Sequence, residues 1–169
     1  MISQKMQDAI NQQINKELYS EYLYLSMAAY FSAQGRSGFE KFLLLQAAEE
    51  RFHALKFYHF VNERGGRVYF QKIDQPETEF KSPVSVFEKA LEHEQYVSSL
   101  INKLMDIAIK ENDHASKSFL TWYVDEQVEE EDSMDTIVNK LKIIKGQGNG
   151  LLMLDKELAA RTFTPPPSN

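Results

Sequence analysis

The stretch Ala48-Glu49-Glu50-Arg51-Phe52-His53 decides how this chain is read. Around it, Phe39, Phe42, Leu43, Phe57, Phe60 and Val61 recur at spacings of three and four, the period of a helix with one apolar face. Gln46, Glu50 and His53 fall on that same face. A carboxylate and an imidazole at i and i+3 project in the same direction from a helix. Burying either alone is costly. A metal ion would satisfy both, and three further helices can then supply the remaining ligands.

The bounds agree with a globular helical chain. Its 169 residues suit one domain spanning 1–169, with 43% hydrophobic and 26% charged residues. Only 7 Gly and 5 Pro punctuate it, so long helices follow more naturally than many short strands. With no Cys, disulfides, thiolate metal sites and thiol nucleophiles are excluded, leaving 4 His and 6 Met as softer ligands. A net charge of -6 disfavours nucleic acid and favours cations as partners. Met1-Ile2-Ser3-Gln4-Lys5 has no signal-peptide pattern, and Leu23 to Phe31 is too short to span a membrane. The expectation is a cytoplasmic protein without membrane contact.

Worked outward, the sequence predicts five helices. The first runs from Ser3, as N-cap, to about Ala33, with Ile10, Ile14, Leu18, Leu25 and Ala28 on its stripe. Glu17, Glu21 and Tyr24 interleave with them, and periodicity leaves open which acid faces inward. The second opens at Ser37 with the capping-box spacing to Glu40 and ends near Arg64 before Gly65-Gly66. A connection of roughly fifteen residues follows, long enough to traverse a bundle and leave the second and third helices parallel. Val68, Tyr69 and Phe70 within it could lie against the helices in extended form. The third helix begins at Ser82-Pro83 and runs to about Glu111, with Glu94 on its apolar stripe. The fourth runs from Asp113, as N-cap, to about Lys145, with Gln127 and Glu130 at mid-stripe. A Gly146–Gly150 hinge, a short helix from about Leu151 to Ala160, and a tail over 161–169 complete the chain. Leu151, Leu152, Met153, Leu154 and Leu158 make that last helix too apolar for a free surface, so it is expected to be buried by other subunits.

Glu17, Glu50 with His53, Glu94, and Gln127 with Glu130 all fall near the midpoints of their helices. Crowded buried carboxylates repel and raise one another's pKa, which a pair of metal ions relieves. Carboxylates joined by an imidazole suit iron or manganese better than calcium. In isolation His53 would more often be a hydrogen-bonded core residue; Glu50 and Glu94 shift the reading to a ligand.

Four motifs together carry a resemblance: Glu17-Leu18-Tyr19-Ser20 with Tyr22-Leu23-Tyr24, Glu49 to Ala54, His93-Glu94, and Phe119 to Glu131. The chain resembles the bacterial ferritins, the non-haem iron-storage family, from Met1 to about Phe163. The resemblance implies an all-α ferritin-like four-helix bundle, with a long crossover between the second and third helices and a short fifth helix. It implies a ferroxidase centre that oxidises Fe(II) with dioxygen or hydrogen peroxide. Glu17, Glu50 and His53 match the first iron's ligands, and Glu50 would bridge to a second iron matched by Glu94 and Glu130. Gln127 would lie alongside, and Tyr24 matches the tyrosine beside the centre. Glu49, Glu126, Glu129 and Glu130 match a third iron position. The family forms hollow homo-oligomeric shells of about 24 subunits around a ferric mineral.

Departures narrow this reading. Arg51 stands where haem-binding cousins carry methionine, and the fourth helix has Gln127 and Glu130 rather than a second ExxH, so no haem is expected. Animal ferritins line a pore with acids near the start of the fourth helix, where this chain has Lys117 and Leu120. Glu126, Glu129 and Glu131 also read as a solvated acidic face. His59, His93 and His114 read as structural or surface residues, and Trp122 as a packing residue.

Overall fold

The computed structural model describes residues 1–145 and 148–164. Five helices follow one another: α1 (Gln4–Ser32), α2 (Ser37–Glu63), α3 (Pro83–Lys110), α4 (His114–Ile143) and α5 (Gly148–Leu158). Among the described residues there is no strand, and no helix is long and apolar enough to cross a membrane. The Gly146-Gln147 part of the expected hinge and the end of the expected tail, 165–169, lie outside the described residues.

Local chemistry sets most helix ends. Ser3 Oγ accepts from the Met6 amide at 3.0 Å, and Asp113 Oδ1 from the Ser116 amide at 3.1 Å. Ser82 and Ser85 form a reciprocal capping box ahead of Pro83. At the end of α2, Gly65 takes φ 74° and the Gly66 amide bonds back to Val61 at 2.9 Å. The start of α2 departs from expectation. Ser37 is its first helical residue, and Arg36 at the N-cap makes no side-chain bond. The cap comes from α5 instead: Asp155 Oδ1 accepts from the Gly38 and Phe39 amides, both at 3.0 Å. A Cβ on Gly38 would lie 1.7 Å from the Asp155 carbonyl oxygen, so glycine permits the approach.

The segment 64–82 runs lengthwise along α1. Arg67 N donates to Gln7 Oε1 at 2.9 Å, Tyr69 N to Asn11 Oδ1 at 2.8 Å, and Ser26 Oγ to the Glu77 carbonyl at 2.6 Å. Gln7 and Ser26 are about 28 Å apart along a helix, within reach of ten extended peptide steps at about 3.3 Å each. The crossover therefore returns the chain to the end where α2 began, and α3 runs parallel to α2. Val68 packs against the helices, while Tyr69 and Phe70 remain largely exposed. Leu25, expected on the inner stripe, is exposed as well.

The apolar core is divided. One cluster gathers Met27, Phe31, Phe39, Leu43, Phe87 and Leu141. The other gathers Met6, Ile10, Phe57, Phe60, Leu104 and Leu120. Stacked rings tie each together, Phe31 on Phe39 at 4.7 Å and Phe57 on Tyr123 at 4.0 Å. Between the clusters lies a buried polar layer: Glu17, Gln46, Glu50, His53, Glu94, Gln127 and Glu130.

The fifth helix divides its apolar residues between two faces. Leu151, Leu154 and Leu158 are buried in the first cluster of their own subunit, while Leu152 and Met153 face outward. Because α5 both packs on α2 and caps it, Gly38→Ala should dislodge α5 without unfolding the bundle. Limited proteolysis checks this. New cleavage within 148–158, with helical circular dichroism almost retained, is the expected outcome; a cleavage pattern identical to that of the parent would contradict it.

Candidate metal centre

The polar layer is assembled by four helices. From α1, Glu17 (1% exposed) enters the interior, its Oε1 accepting from Gln13 Nε2 at 2.9 Å. Glu21, one turn on, points outward to Arg51 at 3.6 Å. The choice that periodicity left open is therefore made by which side of α1 faces α2. From α2 come Glu50 (1% exposed) and His53 (2% exposed), with His53 Nδ1 3.6 Å from Glu50 Oε2. The other ring nitrogen, Nε2, lies 3.8 Å from Glu126 Oε1 on α4. Two groups of donor atoms result, Glu17–Glu50–His53 and His53–Glu126–Glu130, each with its atoms within 4.8 Å of one another. His53 is common to both.

Glu94 on α3 is fully buried but belongs to neither group. Its Oε1 accepts from the Tyr24 hydroxyl, and its Oε2 from Gln127 Nε2 at 3.3 Å. Glu130 Oε2 accepts from Gln46 Nε2 at 2.6 Å. One acceptor stands apart. Among the described residues, Glu50 Oε1 is the buried side-chain polar atom with no hydrogen-bond partner. A buried unsatisfied carboxylate oxygen costs about 1–3 kcal/mol or more, and a cation between Glu17, Glu50 and His53 would remove that cost.

Burial dominates the electrostatics. It raises Glu17 and raises Glu50 well above the ordinary carboxylate range, the Glu94 charge adding to the Glu50 shift. Glu94 is pushed up to about 7, chiefly by burial and against the Tyr24 and Gln127 hydrogen bonds. Glu130 is pushed up to about 8 by burial and by the Glu94 charge. At His53, burial lowers the pKa, but the Glu126 and Glu50 carboxylates facing its two ring nitrogens outweigh it and leave the imidazole well above its usual value. Burial thus favours the protonated, uncharged forms of these acids.

This is a bundle with the helix order, crossover and mid-height acid layer of one family, and the ferritin-like domain family matches residues 7–144. The chain belongs to the ferritin family. A bacterial non-haem ferritin of Staphylococcus saprophyticus is 42% identical over 163 residues, covering 96% of this chain and 98% of the relative. That of Staphylococcus aureus strain USA300 is 40% identical over the same length. An open-pore ferritin from the hyperthermophilic archaeon Archaeoglobus fulgidus superposes with a TM-score of 0.94 at 49% identity, over 96% of this chain and 100% of that one. A form of it engineered to be closed gives a TM-score of 0.95.

In this ferritin the remaining candidates fall in distinct places. Tyr24 is fully buried, and burial together with the surrounding acids raises its phenol well above the usual range. Glu49 is half-buried and paired with Arg161, while Glu129 is exposed and outside both donor groups. Trp122 packs edge-on to His53 at 5.4 Å. His93 is buried rather than on the surface, with Nε2 2.7 Å from Ser20 Oγ, and burial lowers its pKa to about 4. Leu120 is fully buried in its own subunit, and Lys117 is exposed. Arg161, which no periodic pattern singles out, reaches the layer from beyond α5.

Groups whose folded pKa is raised hold extra protons between their unfolded value, 4.5 for a carboxyl, and about 8. Their contribution to stability is complete below that window and is lost as pH rises through it. A bound divalent cation replaces those protons, so Zn(II) should stabilise this ferritin more near pH 8 than near pH 5.5. At a free concentration 100-fold above its Kd the gain is about 2.7 kcal/mol. Thermal melts at both pH values check this; an equal increment at the two would contradict it.

Proposed function

We propose that this ferritin stores iron, oxidising Fe(II) with dioxygen at the buried layer and depositing the ferric product inside a homo-oligomeric shell. The observation that carries the reading is the unpartnered Glu50 Oε1, set within a donor group with Glu17 and His53. Its chemistry, hard carboxylate oxygens with one imidazole, suits iron. The substrate is two Fe(II) ions. Glu17, Glu50 and His53 hold the first; Glu50, Glu94 and Glu130 hold the second, with Gln127 alongside. Glu49, Glu126 and Glu130 offer a third position, with Glu129 at its exposed rim.

Each Fe(II) gives one electron, so two together reduce one dioxygen and, with two protons, yield hydrogen peroxide. Hydrolysis of each Fe(III) to oxyhydroxide then releases three protons. The chain's residues support this in definite ways. Glu94 and Glu130 surrender protons as iron binds, because their pKa values of about 7 and about 8 lie near neutrality. Tyr24 orients Glu94 through its hydroxyl, and a buried phenol there is also placed to give up an electron. Tyr123 OH donates to the His53 carbonyl at 2.8 Å, pinning that turn of α2. We place this activity in the cytoplasm, with no haem involved.

A di-iron oxygenase would need room for an organic substrate. The groove beside Gln127, lined also by Ser98 and Glu131, has a volume of ≈ 150 Å³. That is below the roughly 300–1,000 Å³ of small-molecule sites, but it admits water and dioxygen.

Aerobic Fe(II) addition to the purified protein, followed by size-exclusion chromatography with iron detection, is the test. Iron should co-elute with a large assembly. Glu50→Ala and His53→Ala should each slow oxidation about 100-fold or more while the assembly elutes unchanged, and Glu21→Ala should leave the rate as it was. Oxidation at the parent rate in the Glu50 and His53 variants, or turnover with no retained iron, would overturn the proposal.

A further inference from the structure

Among the described residues, Arg161 brings the one guanidinium that enters the polar layer, and it does so from outside the four-helix bundle. Its Nη1 donates to Gln46 Oε1 at 2.6 Å, and its Nη2 pairs with Glu49. Its Cζ lies 4.5 Å from the centroid of Phe42, so one face of the guanidinium is covered by an aromatic ring. Because Gln46 turns its carbonyl to Arg161, its amide nitrogen is left to donate to Glu130 at 2.6 Å. One cation thus serves Glu49 directly and Glu130 through a single intervening amide. The three acids on this side, Glu49, Glu126 and Glu130, sense one another as repelling charges: Glu126 and Glu49 are linked in this way, and so are Glu49 and Glu130.

The tether is well anchored. Arg161 follows the end of α5 by three residues. Asp155 holds α5 to the start of α2, Lys41 Nζ donates to the Ala159 carbonyl at 2.6 Å, and Lys140 pairs with Glu157 at 2.5 Å. Phe163 then rests against Phe52, with ring centroids 6.4 Å apart. A side chain held this way has a high effective concentration at its site. A guanidinium also cannot be neutralised by losing a proton, so only movement can vacate the position.

We infer that Arg161 is a resident counter-ion for the peripheral acids Glu49 and Glu130, and that a third metal cation binds there by displacing its guanidinium from Gln46 and Glu49. The inference rests on the reading of this layer as a cation site. It adds that the C-terminal segment sets how readily the outer position fills, while the inner Glu17–Glu50–His53 position is untouched by it. When Arg161 leaves, Gln46 is free to turn, and Glu130 exchanges an amide donor for a metal.

The test uses Zn(II), which cannot be oxidised, titrated calorimetrically into the full-length assembled protein. The parent should show a tight class of ions and a weaker outer one. Arg161→Gln should tighten the outer class about tenfold or more and leave the tightest ion, at Glu17–Glu50–His53, unchanged. Arg161→Lys, which keeps the charge without the fork, should fall between the two. Size-exclusion and circular dichroism establish that each variant is folded and assembled. An outer class that is absent, unchanged or weakened in Arg161→Gln would overturn the inference about Arg161 alone. Loss of the tight class in the parent would instead overturn the proposed function.

Discussion

The constraint on which this structure depends is the burial of four carboxylates and one imidazole between two apolar clusters. Glu17, Glu50, Glu94 and Glu130 are each no more than 4% exposed. Aliphatic and aromatic side chains above and below them exclude the water that would otherwise screen their charges. Such a layer is unfavourable unless protons, hydrogen bonds or cations neutralise it. The chain uses all three. Protons are held on Glu94 and Glu130 through raised pKa values, Gln13, Tyr24, Gln46 and Gln127 donate hydrogen bonds, and Arg161 contributes a positive charge at the edge. One oxygen, Glu50 Oε1, is left over. The helices meet there not because the site is stable when empty, but because the two apolar clusters hold it together.

Much of this was legible in the sequence. The helices have a strict three-and-four periodicity, strong caps at Ser3, Ser82 and Asp113, and glycines at the breaks. The long crossover followed from the length between Gly66 and Ser82. Acids and amides on otherwise apolar stripes marked the layer, since a buried carboxylate stands out against Phe and Leu. What periodicity could not do was separate Glu17 from Glu21, because a residue four positions on shares the same side of a helix to within a fraction of a turn. That separation came from the family resemblance and is seen in the rotation of α1 against α2.

Other features were not legible, each for a physical reason. The cap on α2 comes from Asp155, 117 residues away, and local spacing cannot report a partner that distant; Ser37 and Glu40 looked sufficient. The leucines of α5 announced burial but not against what, and the subunit's own core took three of them. Glu94 shared the layer yet is turned toward Tyr24 and Gln127, a rotamer choice invisible in residue order. Arg161 lies past the last periodic segment, where a single cation reads as a surface residue until the fold brings it onto Gln46 and Glu49. Three of these misses, Asp155, the α5 leucines and Arg161, share one cause: they are long-range contacts made by α5 and the residues just after it, which close one end of the bundle.

The central claim is that the layer is built around metal, with Glu17, Glu50 and His53 as its innermost donors. A crystal soaked anaerobically in ferrous salt, with anomalous scattering recorded at the iron edge, tests it most directly. The expected result is a peak between Glu50 Oε1, Glu17 and His53, with a second toward Glu94 and Glu130. Iron found only on outer acids such as Glu129, with Glu50 Oε1 still unpartnered, would contradict it.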